Sequence, residues 1–203
     1  MNKGNLVVKK FLSSSNGKDV NAYMLIDGGE AAIIDVADTY DDVKDALREH
    51  KANLKYILIT HGHSSHLRSA SRVKRDLGGQ ICFHEHDNDL IEKVDETLKP
   101  DIPLKDKTKL RLNGTEIKVF HTPGHTRGSV CYYIEREKML FSGDTLFKGE
   151  YGKIWGPTSM GLMLRTLKRL NNVILSSSTV YPGHGDSTTM YAEAWLDCLD
   201  NLS

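Results

Sequence analysis

The stretch "ILITHGHSSHLRSA", residues 57–70, sets histidines at 61, 63 and 66 directly behind an apolar run. Neutral imidazole is a good ligand for zinc, iron or manganese, and the lone glycine between His61 and His63 lets both rings converge on one ion. Three further stretches repeat the context: "HTPGHTRGS" carries His125, "LFSGDTLF" carries Asp144 and "VYPGHGDS" carries His184. Each lies on a loop beside a strand-like run, where a rigid scaffold can aim functional side chains. Taken singly, Asp144 and His184 read equally well as turn or loop residues, and the 61–66 trio as polar residues opening a helix. Four such sites in one chain point to a metal centre. A divalent ion held by three imidazoles with an open position lowers the pKa of a bound water, to about 7 for catalytic zinc. That chemistry attacks ester, thioester and amide carbonyls, and Asp144 is placed to position the attacking oxygen.

The elements that must hold these residues fall into two blocks. The runs "NLVVKKF", "VNAYMLI" and "AAIIDV" read as strands separated by "SSSNGKD" and "DGGE" turns. A helix is expected from Thr39 to His50, with Val43, Ala46 and Leu47 on one face and Asp41 and Asp42 in its first turn. "KYILIT" is a buried strand, followed by the histidines and a helix ending at Leu77; "QICFHE" and "NDLIEKV" supply another strand and a short helix. Beyond a linker at Pro100–Pro103 the pattern restarts with strands "KLRLNG", "TEIKVFHT", "SVCYYIE" and "KMLFSGD". A helix over 160–170, a strand "STVYPG" and a helix from Met190 complete the chain. Two blocks of strands with intervening helices imply an α/β protein of two packed sheets with helices outside.

The length, 203 residues, suits a single domain over 1–203. Lysine and arginine (27) balance aspartate and glutamate (27), so no net field favours nucleic acid or an anionic membrane. No apolar run approaches a membrane span, and "MNKGNLVVKKFLSSSNGKDV" lacks the apolar core of a secretory leader. Cys82, Cys131 and Cys198 form neither a zinc-ribbon spacing nor a disulfide framework. Cytoplasmic residence is the expectation, with a small molecule as partner; oligomeric state is left open.

The ordered motifs "THGHSSH", "GHTRGS", "GDTLF" and "YPGHG" resemble those of the metallo-β-lactamase superfamily, and within it the glyoxalase II-like hydrolases, over Leu6 to about Trp195. The resemblance implies an αβ/βα four-layer sandwich of two mixed β-sheets with helices on the outer faces and the active site at one edge. It implies that His61, His63 and His125 hold a first divalent metal, most simply zinc, with iron or manganese as alternatives. Asp144 would bridge to a second ion bound by His66 and His184. The family motif has an aspartate, both ligand and orienter of the attacking water, where this chain has Ser65. A neutral hydroxyl is a weak ligand and offsets no charge, so unequal sites are implied. The reaction implied is hydrolysis of a thioester or related ester. Hydroxyacylglutathione hydrolases add a C-terminal helical region with glutathione-binding basic residues, which this chain ends too soon to include, so glutathione specificity does not follow. Persulfide dioxygenases of the same superfamily offer another reading, with one iron at the positions of His61, His125 and Asp144. A weakened member that binds without turnover is the third.

Other histidines receive plainer readings. In "FHEHD", His84, Glu85 and His86 fit a strand end entering a helix capped by Asp87 or Asn88, with the histidines in solvent. His121 is at most a hydrogen-bonding neighbour of the centre, and His50 ends a helix. Lys153, Ile154 and Trp155 occupy the places of an arginine–threonine–aspartate segment of glyoxalase II-like relatives. Trp155 there lines a pocket and Lys153 meets a carboxylate, or both belong to a packed surface loop.

Overall fold

Alternation along single strands defines the layers of the computed structural model, which describes residues 6–15 and 17–202. In β4 (Asn53–Leu58), Tyr56 and Leu58 face one cluster of buried side chains, while Ile57 and, just beyond the strand, Ile59 face another. In β9 (Val130–Ile134), Val130, Tyr132 and Ile134 point inward, and Cys131 and Tyr133 outward. Both strands are therefore apolar on two faces, as strands covered on both sides must be.

One sheet runs in chain order: β1 (Val7–Ser15), β2 (Lys18–Asp27), β3 (Glu30–Ile34), β4, β5 (Gln80–His84) and β6 (Ile102–Leu104). It is antiparallel from β1 to β3 and parallel from β3 onward. The other has the order β12-β11-β10-β9-β8-β7: β7 (Lys109–Leu112), β8 (Thr115–His121), β9, β10 (Met139–Gly143), β11 (Thr179–Pro182) and β12 (Thr188–Thr189), with only β10 and β11 parallel. Helices α1 (Tyr40–Glu49), α2 (Ser64–Leu67), α3 (Ala70–Leu77) and α4 (Asn88–Glu92) go with the first sheet, burying Val43, Leu47, Val73 and Ile91 against its outer face. Helix α5 (Pro157–Val173) covers the second sheet with Met163, Leu167 and Leu170. Its proline sits at the first turn, where the missing N–H costs nothing. This is the four-layer sandwich of two mixed sheets implied above.

Three readings are corrected. The linker over 100–103 runs into β6, which pairs parallel to β5; Pro103 is tolerated because β6 is an edge strand. The helix ending at Leu77 is broken into α2 and α3, with Arg68 and Ser69 between them. The helix from Met190 is two 3-10 segments, Met190–Ala192 and Ala194–Leu202. Asn5, at which the first strand was expected to begin, and Asn16 of the "SSSNGKD" turn lie outside the described residues. Cys82 and Cys131 are buried free thiols and Cys198 is an exposed one. Among the described residues no helix is long and apolar enough to cross a membrane.

The two sheets meet through more than apolar contact at the edge where β4 ends. The Tyr132 hydroxyl donates to the Ile59 carbonyl (2.8 Å), and the Val130 amide donates to the Thr60 carbonyl (2.9 Å). Tyr132 has no exposed surface, so its hydroxyl has no water to fall back on. Tyr132→Phe should lower stability by about 1–2 kcal/mol in urea unfolding; an unchanged midpoint would show that this tie contributes nothing.

Candidate metal centre

The five histidines and the aspartate singled out above converge at that edge. His61, His63 and His66 follow β4, His125 follows β8, Asp144 follows β10 and His184 follows β11. His125 Nε2 lies 2.9 Å from His63 Nδ1, and His61 joins these two in a group whose ligand atoms all fall within 4.8 Å of one another. On the other side His66 Nε2 lies 3.3 Å from His184 Nε2 and 3.5 Å from Asp144 Oδ1. Asp144 Oδ2 reaches His125 Nε2 at 3.5 Å and His184 Nε2 at 3.4 Å, so this carboxylate stands between the two sets. Ligands about 2.0–2.1 Å from a shared tetrahedral ion stand about 3.3 Å apart, within the 2.9–3.5 Å range of the pairs named.

Four of the five rings are turned by a partner on the far nitrogen. His66 Nδ1–H donates to Asp35 Oδ2 (2.8 Å), His125 Nδ1–H to the Lys153 carbonyl (2.9 Å) and His184 Nδ1–H to the Asp19 carbonyl (2.6 Å). His61 Nδ1–H donates to Thr60 Oγ1 (3.0 Å), whose own hydroxyl donates to Asp35 Oδ2 (2.8 Å). These bonds fix the tautomers and leave Nε2 of all four facing the centre, as metal-ligating imidazoles require. The backbone is tied as firmly. Asp87 accepts from the Gly62 amide (2.8 Å), the Gly128 amide (2.7 Å) and the Thr126 hydroxyl (2.8 Å), joining the His61 and His125 loops. Asn21 and Tyr23 of β2 donate to the Pro182 carbonyl at 2.9 and 2.8 Å, holding the His184 loop. A Cβ on Gly183 would stand 2.5 Å from Asp144 Oδ1, so only glycine admits this approach.

Burial drives His61 far below the ordinary histidine range, holds His63 down at about 4 and lowers His125. These rings are neutral, with lone pairs free. The other set is drawn the opposite way. Burial opposes charge on His66, but Asp35 outweighs it and raises the ring; the bond to Asp144 raises His184. Burial likewise opposes charge on Asp144, yet His184 and the neighbouring His66 and His61 hold it well below the usual carboxylate range. Positive charge is in demand beside Asp144, and a metal dication meets that demand as a proton does.

Two buried atoms test the fit directly. His61 Nε2 and Asp144 Oδ1 have no hydrogen-bond partner, a costly condition unless a cation serves them. The residues fit a divalent metal. Beside them opens a cleft of about 1000 Å³, lined by His63, Ser65, His125, Asp144, Lys153 and Trp155 among others. Ser65 is half-buried in α2. Trp155 is 61% exposed, with the Lys153 ammonium 4.2 Å above its ring, so the pair forms a wall of the cleft.

Sequence reasoning passed over Asp35, and read Asp87 only as a possible helix cap. Asp87 does occupy the N-cap position of α4, but its carboxylate makes no cap bond there and serves the histidine loops. His84 is buried at 7% exposure, against the expectation of a solvent position.

A sequence profile of the metallo-beta-lactamase superfamily matches residues 16–202. A hydroxyacylglutathione hydrolase of Pelagibacter ubique is 30% identical over 169 residues, covering 82% of this chain and 67% of that protein. Among solved structures, the BLEG-1 B3 metallo-beta-lactamase superposes with a TM-score of 0.80 at 27% identity, covering 93% of this chain and 96% of that one. TTHA1623, solved in a di-iron-bound form, gives 0.77 at 28% identity, covering 91% and 96%. The chain belongs to the metallo-β-lactamase superfamily, and its likeness to a hydroxyacylglutathione hydrolase places it near the glyoxalase II-like branch.

Asp87→Ala strips three donors of a buried partner. It should cost about 3 kcal/mol or more in urea unfolding; a loss below about 1 kcal/mol would show that the loops hold without it.

Proposed function

We propose that this chain is a metal-dependent hydrolase cleaving a thioester or related ester. The carrying observation is the pair of buried atoms without a hydrogen-bond partner, His61 Nε2 and Asp144 Oδ1, among the converging ligand atoms beside an open cleft. His61, His63 and His125 would hold a first ion, and His66, His184 and the shared Asp144 a second; zinc is the first choice and iron or manganese the alternatives. A bound divalent ion supplies Lewis acidity toward the carbonyl oxygen and acidifies water.

The chain's own groups do the rest. Asp144, held anionic, accepts an O–H of the attacking water and turns its lone pair toward the carbonyl carbon. Water adds to that carbon, the C–S bond breaks, and the thiol leaves with a proton, giving a carboxylic acid and a free thiol. Trp155 offers an apolar ring to the acyl part, and Lys153 a cation to a carboxylate elsewhere on the substrate. The likeness to a hydroxyacylglutathione hydrolase supports the choice of a thioester over an amide.

His61→Ala and His125→Ala should each lower bound metal and cut turnover of a thioester panel at least about a hundredfold, with chelator abolishing and zinc or manganese restoring the wild-type rate. Unchanged metal content in both variants would remove the ligand assignment. Oxygen uptake with a persulfide substrate by an iron-loaded protein that hydrolyses nothing would replace hydrolysis with oxygenase chemistry.

Ser65 gives a separate expectation. A second ion here has two imidazoles and a shared carboxylate but no carboxylate of its own. Metal titration should therefore find one tight ion and one weak. Ser65→Asp should tighten the weak ion and raise the hydrolytic rate. Two equally tight ions in the wild type, with neither quantity moved by the substitution, would exonerate Ser65.

A further inference from the structure

Outside this centre, at strand ends of the same two sheets, lies a second cluster of imidazoles. His84 closes β5, His86 stands in the 3-10 turn Glu85–Asp87, and His121 closes β8. Each offers a ring nitrogen, and the three nitrogens lie within 4.8 Å of one another. The His84 and His121 rings stack at 3.9 Å and 10°, while His86 stands 4.6 Å from His84 and 5.6 Å from His121, inclined to both. None of the three belongs to the ligand set proposed above.

The bonds around the cluster suit it to an ion. His121 Nε2–H donates to the Arg127 carbonyl (2.9 Å), which fixes the tautomer and leaves Nδ1 with a free lone pair. The nearby carboxylate is already engaged: Asp106 accepts from the His121 amide (2.9 Å) and pairs with Arg169 (2.8 Å). Burial, with His121 and His86 beside it, holds His84 down at about 4, so its ring is uncharged at neutral pH. His84 Nδ1 accepts from the His86 amide at a long 3.2 Å. Ligation by His84 requires that bond to yield. The stacked rings must also splay, because parallel planes 3.9 Å apart cannot aim two in-plane lone pairs at one point. His86, exposed on its turn, supplies the movable arm.

We propose that His84, His86 and His121 form a second, peripheral transition-metal site. Three imidazole nitrogen donors without a carboxylate select zinc, nickel or copper(II) and reject magnesium and calcium. An ion there ties the end of β5 in one sheet to the end of β8 in the other. It sits next in sequence to Asp87, the residue that joins the His61 and His125 loops. Such an ion acts as a staple on the sandwich rather than as a reaction centre.

The test is zinc binding by the metal-stripped full chain, counted by metal analysis after equilibrium dialysis. The wild type should hold one zinc more than His86→Ala/His121→Ala, and His86→Ala alone should weaken that extra ion at least about tenfold. In a His61→Ala/His125→Ala/Asp144→Ala background, which takes two of the three imidazoles from one ligand set and the shared carboxylate from both, one zinc equivalent should remain, raise the melting temperature, and vanish on adding His86→Ala. Copper(II) bound in that background should show nitrogen coupling in its electron paramagnetic resonance spectrum. Equal zinc content with and without His86 and His121, or displacement of the extra zinc by magnesium, overturns the site. Should the double variant fail to fold by circular dichroism, exposed His86→Ala decides the matter by itself.

Discussion

One buried carboxylate organises the heart of this protein. Asp35 is 2% exposed and adopts a left-handed backbone, φ 52°, which aspartate tolerates better than most residues. An anion so placed is ruinous unless fully hydrogen-bonded, and its partners are supplied by the histidine loop. Thr60 gives its amide and hydroxyl, and His66 gives Nδ1–H. Through Thr60 the same carboxylate reaches His61. Its successors hold the loop from the backbone side, since the Val36 and Ala37 amides both donate to the His66 carbonyl. Desolvation of one acid thus dictates the orientation of imidazoles on both sides of the proposed centre.

Asp87 is the counterpart on the far side of the loop, and together the two acids hold "HGHSSH" between them. This alters the meaning of Gly62. Its lack of a side chain is required less by the converging rings than by α4: a Cβ there would stand 2.7 Å from Leu90 and 3.3 Å from the Asp87 Cβ. The motif is therefore as much a packing requirement as a ligand pattern, which is why a short helix carrying no ligand bears on the metal centre.

The ligands were legible in the chain because histidine or aspartate directly after an apolar strand is a local signature. The strands themselves were legible for the same reason: period-two alternation in β7 and continuous apolarity in β9 are visible without neighbours. The orienting partners were not. Asp35 looks like any acid closing a strand, and the Asp19 and Lys153 carbonyls have no residue identity to read. Strand β6 escaped because "IPL" is too short to show a period and contains a proline. The burial of His84 escaped because its cover, His121, comes from a strand of the opposite sheet.

The electrostatics of the proposed centre are unequal even before any ion enters. His61, His63 and His125 are neutral and have no acid bonded directly behind them as His66 has in Asp35, so an ion among them would keep most of its charge. Asp144 stands between the two sets, and Asp35 adds its carboxylate on the His66–His184 side. Ser65 leaves that side one acid short of its family pattern without disturbing the scaffold, because His66 is held by Asp35 and by backbone amides rather than by its neighbour. The serine is thus a change of charge on an intact frame. On the proposed assignment, an intact frame with a missing charge would alter how strongly an ion is held and leave the geometry for holding it in place.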